Sequence, residues 1–102
     1  MLTFREANDE FDRRIAIGLS RWTGDPIRRE SFTRNLQAAA ELRRVMESEG
    51  RSGRIRPVTL DERPAFFYSC RGERGEPFAQ GVGDTPALAI CDAFLHCCPD
   101  PI

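Results

Sequence analysis

Apolar positions near the start of the chain recur at helical spacing. At about 100° of rotation per residue, Phe11, Ile15, Leu19 and Trp22 fall within about 80° of one another, with Gly18 beside them. Asp12, Arg13, Arg14 and Ser20 point elsewhere. Ile17 falls off the stripe, so it either packs on a second element or sits exposed. This pattern predicts a first helix over about 8–22. TGDPIRRE (Thr23 to Glu30) then breaks the helix, because Gly24 and Pro26 forbid direct continuation. A second helix is expected over about 33–49, capped by Thr33 or Ser31. Its apolar arc is Leu36, Ala38, Ala39, Leu42, Val45 and Met46, and Arg43 and Glu47 form an i,i+4 pair on its surface. Gly50 suits the left-handed position that closes such a helix.

After RSGR (Arg51 to Arg54), read as a flexible connector, the period becomes strand-like. Strands are expected over about 56–60, 65–70 and 77–82. Pro57 marks an edge or a strand start, DERP (Asp61 to Pro64) a tight turn, and RGERGE (Arg71 to Glu76) a loop. In the middle strand, AFFYSC, alternation puts Phe66, Tyr68 and Cys70 on one face and Ala65, Phe67 and Ser69 on the other. One of these faces must be core. Alternation alone does not separate them: Phe67 is counted in the core, and Phe66 and Tyr68 are also read as core, with a stacking surface as the alternative. The last stretch, GDTPALAICDAFLHCC, predicts a helix over about 86–98 with Asp84 or Thr85 as cap and Pro86 in the first turn.

These elements make an α+β fold: two N-terminal helices, a three-stranded antiparallel β meander, and a C-terminal helix packed on the sheet, in one domain spanning 1–102. The expected core includes Phe11, Ile15, Leu19, Trp22, Leu42, Met46, Phe67, Ile90, Cys91, Phe94 and Leu95.

Composition narrows the function classes. The formal net charge is −1, so no global field attracts nucleic acid or anionic lipid. All 15 basic residues are arginine, which follows from a GC-rich genome or from a use for forked, permanently protonated donors. No apolar run is long enough to span a membrane. The charged N-terminus lacks a secretory apolar region, so a reducing compartment, the cytoplasm, is expected.

The terminal helix gathers Cys91, Cys97, Cys98 and His96, the only histidine. Placed on a helical wheel, Ala87, Ile90, Cys91, Phe94, Leu95 and Cys98 share one apolar face, while Asp92 and His96 lie opposite. Zinc needs four converging ligands, and here the imidazole turns away from the thiols. No metal and no cofactor is expected. The cysteines read as small core hydrophobes, with Cys97 the best candidate for a reactive surface thiol. Asp92 and His96 read as a solvated pair. No nucleophile–base constellation or phosphate-binding loop is present, and no catalytic residue is assigned.

GDTPALAICDAFL resembles the closing helix of the phage ABA sandwich domain family, in which an acidic-Thr cap and a Pro precede an Ala-Ile-Cys helix. FTRNLQAAAELRRVM is similar to that family's second helix and DEFDRRIAIGLSRW to its first. Where the family often carries tryptophan in its sheet and second helix, this chain has Phe66, Phe67 and Tyr68, and Ala40. The resemblance implies a small phage or prophage protein with helices on a small antiparallel sheet, and implies no reaction and no binding residues. The expected function is non-catalytic: binding of a host protein or protein complex, as in an inhibitor of a host defence complex of the anti-CRISPR kind. The alternative is nucleic-acid binding by an Arg-rich sheet edge. Over 51–74 the six arginines Arg51, Arg54, Arg56, Arg63, Arg71 and Arg74 face three acids, Asp61, Glu62 and Glu73. Homodimerisation through Ile17 or the Pro57 edge is a third expectation. The candidate interaction residues are Ile17, Arg54, Arg56, Arg71 and Arg74.

Overall fold

The computed structural model describes residues 4–97. Its elements are α1 (Phe4–Thr23), α2 (Leu36–Met46), β1 (Ser52–Leu60), β2 (Arg63–Arg71), β3 (Pro77–Gly83) and α3 (Pro86–Cys97). The strands form an antiparallel meander in the order β1-β2-β3. The helices cover one face of it, with α3 against β3 and β2 and with α1 and α2 packed on α3. This is the α+β arrangement that the periodicity predicts.

The buried flank of α1 is Asn8, Asp12, Ile15, Ala16 and Leu19. It is turned from the purely apolar stripe by about 50°, so Phe11, expected in the core, is 40% exposed. The cause is polar. The Asp12 carboxylate accepts the Thr33 N–H at 2.8 Å, which satisfies a backbone donor that would otherwise be buried without a partner. That bond holds the 31–34 turn against α1 and drives Phe32, a residue of the breaker segment, to full burial.

Thr33, whose Oγ1 is buried without a partner among the described residues, does not cap α2. Asn35 does, with Oδ1 accepting from the N–H groups of Gln37 and Ala38. The helix also ends earlier than expected, at Met46. Its terminal carbonyl accepts from Arg51 Nε at 2.6 Å and from the Cys70 thiol at 3.3 Å, so the orphan acceptor of the last turn is satisfied by side chains. Glu49 and Gly50 both hold positive φ and turn the chain into β1. The segment read as a connector, 51–54, is mostly strand.

The β1–β2 hairpin turns on Asp61 and Glu62, both in the left-handed region (φ 49° and 65°), as a two-residue turn between twisted strands requires. Between β2 and β3 the register slips at Cys70/Arg71. Phe78 is the extra residue of this bulge and turns to the helical side. There Trp22 meets it edge-on at 6.0 Å and stacks on Phe94 at 5.6 Å.

Alternation resolves the middle strand once α3 is in place. Tyr68 and Cys70 are fully buried beneath the helices, and Phe66 packs against the same core. Phe67 takes the opposite, uncovered face and is only half-buried, so it leaves the expected core list. The closest approach is at Gly81, where a Cβ would lie 2.2 Å from the Ala93 nitrogen and 2.5 Å from the Ala89 carbonyl oxygen. Only glycine lets α3, with alanines at 89 and 93, sit this near β3. Thr85 caps α3 through Oγ1, which accepts the Leu88 N–H.

Candidate functional site

Two-residue periodicity places Ser52, Arg54, Arg56, Val58 and Leu60 of β1 on the face away from the helices, with Arg63, Ala65, Phe67, Ser69 and Arg71 of β2, and Gln80 and Val82 of β3. No aspartate or glutamate stands at these positions. The register sets the neighbours: Arg56 pairs with Phe67 and Arg54 with Ser69, while Ser69 faces Gln80 across the other ladder. Of these, Ser52, Arg54, Arg56, Phe67, Ser69 and Arg71, together with Arg43 of α2, line a shallow groove of about 660 Å³ along β1 and β2.

Of the arginines lining the groove, Arg43 is paired with Glu47, whereas none on the open sheet face meets a carboxylate among the described residues. The Arg56 guanidinium lies 5.3 Å from the Phe67 ring centroid, a cation–π arrangement. Arg71 donates to the Gly75 carbonyl at 2.9 Å. The side chains of Arg54 and Arg63, both exposed, have neither a hydrogen-bond nor an ion-pair partner among the described residues. In the groove floor the Ser69 hydroxyl is shielded from solvent and has no partner among the described residues. Leaving such a group unmatched costs about 1–3 kcal/mol.

Of the five candidate interaction residues, the fold brings together Arg54, Arg56 and Arg71. Arg74 stands apart at the β2–β3 hairpin tip, where its backbone N–H donates to Glu76 Oε2. Ile17 lies on α1, on the helical side, half-buried beside Ile27, which is 57% exposed. Phe67, Ser69 and Gln80 were not singled out from the sequence, because assigning them to a site requires knowing which sheet face the helices leave open.

The sulfur-rich helix holds no comparable site. Cys70 and Cys91 are buried. Burial, with Asp12 and Asp92 adding, pushes the Cys91 thiol up to about 12, and burial likewise raises Cys70. Both are unreactive neutral thiols at physiological pH. Cys97, the candidate surface thiol, packs partly against the core, and Cys98 lies outside the described residues. The His96 imidazole is 3.7 Å from Asp92 on the solvent side. Asp92 also accepts the Val82 N–H at 2.9 Å, so α3 ties itself to β3 by its polar side as well as its apolar one. Among the described residues, no group of three or more His, Cys, Asp or Glu side chains is placed to hold a metal, and no helix is long and apolar enough to cross a membrane.

No family model, curated protein or solved structure matches this chain. The likeness to phage ABA sandwich domains therefore rests on the three quoted helical stretches, and the functional reading rests on the geometry of the open sheet face.

Proposed function

We propose that this chain is a non-catalytic binding domain that presents its open sheet face to an anionic macromolecule. One observation carries the reading: four arginines, Arg54, Arg56, Arg63 and Arg71, share an uncovered sheet face with an aromatic ring and without a single carboxylate. Guanidinium groups clustered without counter-charges repel one another, and an anionic partner relieves that repulsion while accepting their forked hydrogen bonds. The thiols Cys70 and Cys91, buried and neutral, suit a binding domain working in the reducing interior of a bacterial cell. Given the phage-type resemblance of the three helices, such a face would serve an accessory protein that occludes a host complex.

The charge balance makes a direct test. The sequence pI is about 5.8, so at pH 7.5 the whole molecule is weakly anionic and an anionic matrix such as heparin retains it only through a local patch. The reading expects retention that is lost in the triple variant Arg54→Gln, Arg56→Gln, Arg71→Gln. Flow-through of the native chain contradicts it. A second reading is favoured by the exposed Ile27 beside Ile17: contact with a protein through the groove between α1 and the 24–34 segment. Under it, Ile27→Asp abolishes binding and the triple arginine variant does not.

A further inference from the structure

Resting on the proposal that the open face binds anions, we infer that its ligand is single-stranded nucleic acid, with Phe67 as the stacking platform, Arg54, Arg56 and Arg71 on phosphates, and Ser69 and Gln80 supplying hydrogen bonds to base or sugar. Three features separate this ligand from other polyanions. The first is the ring. Phe67 stands on the middle strand, between Arg56 on β1 and Val82 on β3, and is only half-buried. Aromatic platforms flanked by cations bind unpaired bases, because every base offers a π-face and a linked phosphate. An Arg56 side chain already lying over Phe67 forms a stack that a base extends, or replaces ring for guanidinium.

The second feature is shape. Three adjacent strands at about 4.8 Å spacing, up to nine residues long, make a surface about 10 Å across and about 30 Å long. A groove in double-stranded DNA admits a single helix or a two-stranded ribbon, not a sheet face backed by three helices, whereas an extended single strand lies along it. The third feature is the polar floor. The Ser69 hydroxyl lacks a partner and is shielded, so it meets a ligand only as neighbouring side chains such as Arg54 shift onto phosphates, and Gln80 is exposed beside it across the ladder. An acidic protein would supply carboxylates for the arginines but would leave the ring and this donor–acceptor pair unused.

The test is fluorescence anisotropy of three labelled probes with the full chain: an oligothymidylate of about 12 nucleotides, the corresponding duplex, and an oligo-glutamate of equal charge. The inference expects the single strand to bind most tightly, with a log–log salt slope of about −2 from three phosphate contacts. Arg56→Gln should flatten that slope by about 0.7. Phe67→Leu should weaken oligothymidylate binding roughly tenfold with an unchanged slope and no change for oligo-glutamate, a pattern that loss of structure would not produce. Ser69→Ala, which removes only an unpartnered hydroxyl, is the second variant should Phe67→Leu fold poorly, and it should weaken the single strand alone. If the single strand binds no tighter than the duplex or oligo-glutamate, or if both the Phe67→Leu and the Ser69→Ala variants bind it as the native chain does, the inference is overturned while the anion-binding face stands. If no probe binds, both fall.

Discussion

On the helical side and in the loops beside it, five arginines find carboxylates: Arg13 with Glu10, Arg28 with Glu41, Arg34 with Asp9, Arg43 with Glu47 and Arg51 with Glu49, while Arg14, Arg29 and Arg44 stand exposed without one among the described residues. On the open sheet face Arg54, Arg56, Arg63 and Arg71 find a ring, a carbonyl or nothing. The same residue type is thus used in two ways within one small fold. Exposed pairs of the first kind contribute at most about 1 kcal/mol each, but they leave no net field. The second arrangement adds little to stability beyond the Arg56–Phe67 contact and the Arg71–Gly75 bond, and it concentrates positive charge on a molecule whose total is −1. Its charges are available to a partner. The covered face, by contrast, is organised by close approach, with Gly81 under α3 and Tyr68 donating its hydroxyl to Glu47 at 2.9 Å.

The comparison breaks most sharply under substitutions that treat the two faces alike. Gly81→Ala places a methyl group inside the α3 backbone, and α3 must lift from β3. A loss of about 3 kcal/mol or more is expected, visible as a collapsed melting transition. An unchanged midpoint would refute the described helix–strand contact. Cys91→Ser buries a poorly paired hydroxyl and should cost about 1–3 kcal/mol.

The same thiol gives the covered face a pH signature. Its folded value of about 12 exceeds the ordinary 9.0, so above pH 9 the unfolded chain releases a proton that the folded chain retains. Stability is then fully present below pH 9 and falls as pH rises toward 12, by up to about 1.4 kcal/mol per pH unit. Tyr68, raised by burial and by its bond to Glu47, adds to the fall above pH 10. Denaturant midpoints measured from pH 8 to 11 check the slope, which should be shallower in Cys91→Ala.

At the β1–β2 turn, Asp61→Asn with Glu62→Gly relieves two left-handed non-glycine residues and should raise stability by about 1 kcal/mol without touching binding. The open face should give the smallest folding effects. Arg54→Gln and Arg56→Gln should change stability by no more than about 0.5 kcal/mol, and Ser69→Ala should be neutral or mildly stabilising because the hydroxyl has no partner to lose. A large destabilisation from any of these three would mean that the face is structural rather than reserved for a ligand.

The order and type of every element was legible in the sequence, because the period changes from helical to strand-like after residue 50 and returns at Pro86. What was not legible follows from polar contacts and from register. Periodicity gives Phe11 to the core of α1, but the Asp12–Thr33 bond rotates the helix and seats Phe32 instead, a residue in a segment with no period to read. Thr33 looks like a cap, but the helix starts at Leu36, directly after Asn35, whose Oδ1 takes the first-turn N–H groups, and Thr33 Oγ1 is buried without a partner among the described residues. The faces of AFFYSC were separable in principle. Gly81 and Gly83, two apart in β3, mark where a helix backbone presses on the sheet, and only the cross-strand register connects them to Tyr68 and Phe66 and so leaves Phe67 outside. Without that register Arg54, Arg56 and Arg71 were a local surplus of charge along the chain. With it they are one surface, and Arg74 and Ile17 are not part of it.

The most direct measurement is a nitrogen–proton NMR titration of the chain with oligothymidylate at low salt. The account predicts shifts confined to the amides and guanidinium signals of Arg54, Arg56, Phe67, Ser69, Arg71 and Gln80, with α1 and the Ile17–Ile27 groove unmoved. Shifts centred on that groove, or none anywhere, would contradict the claim that the open sheet face is the binding surface.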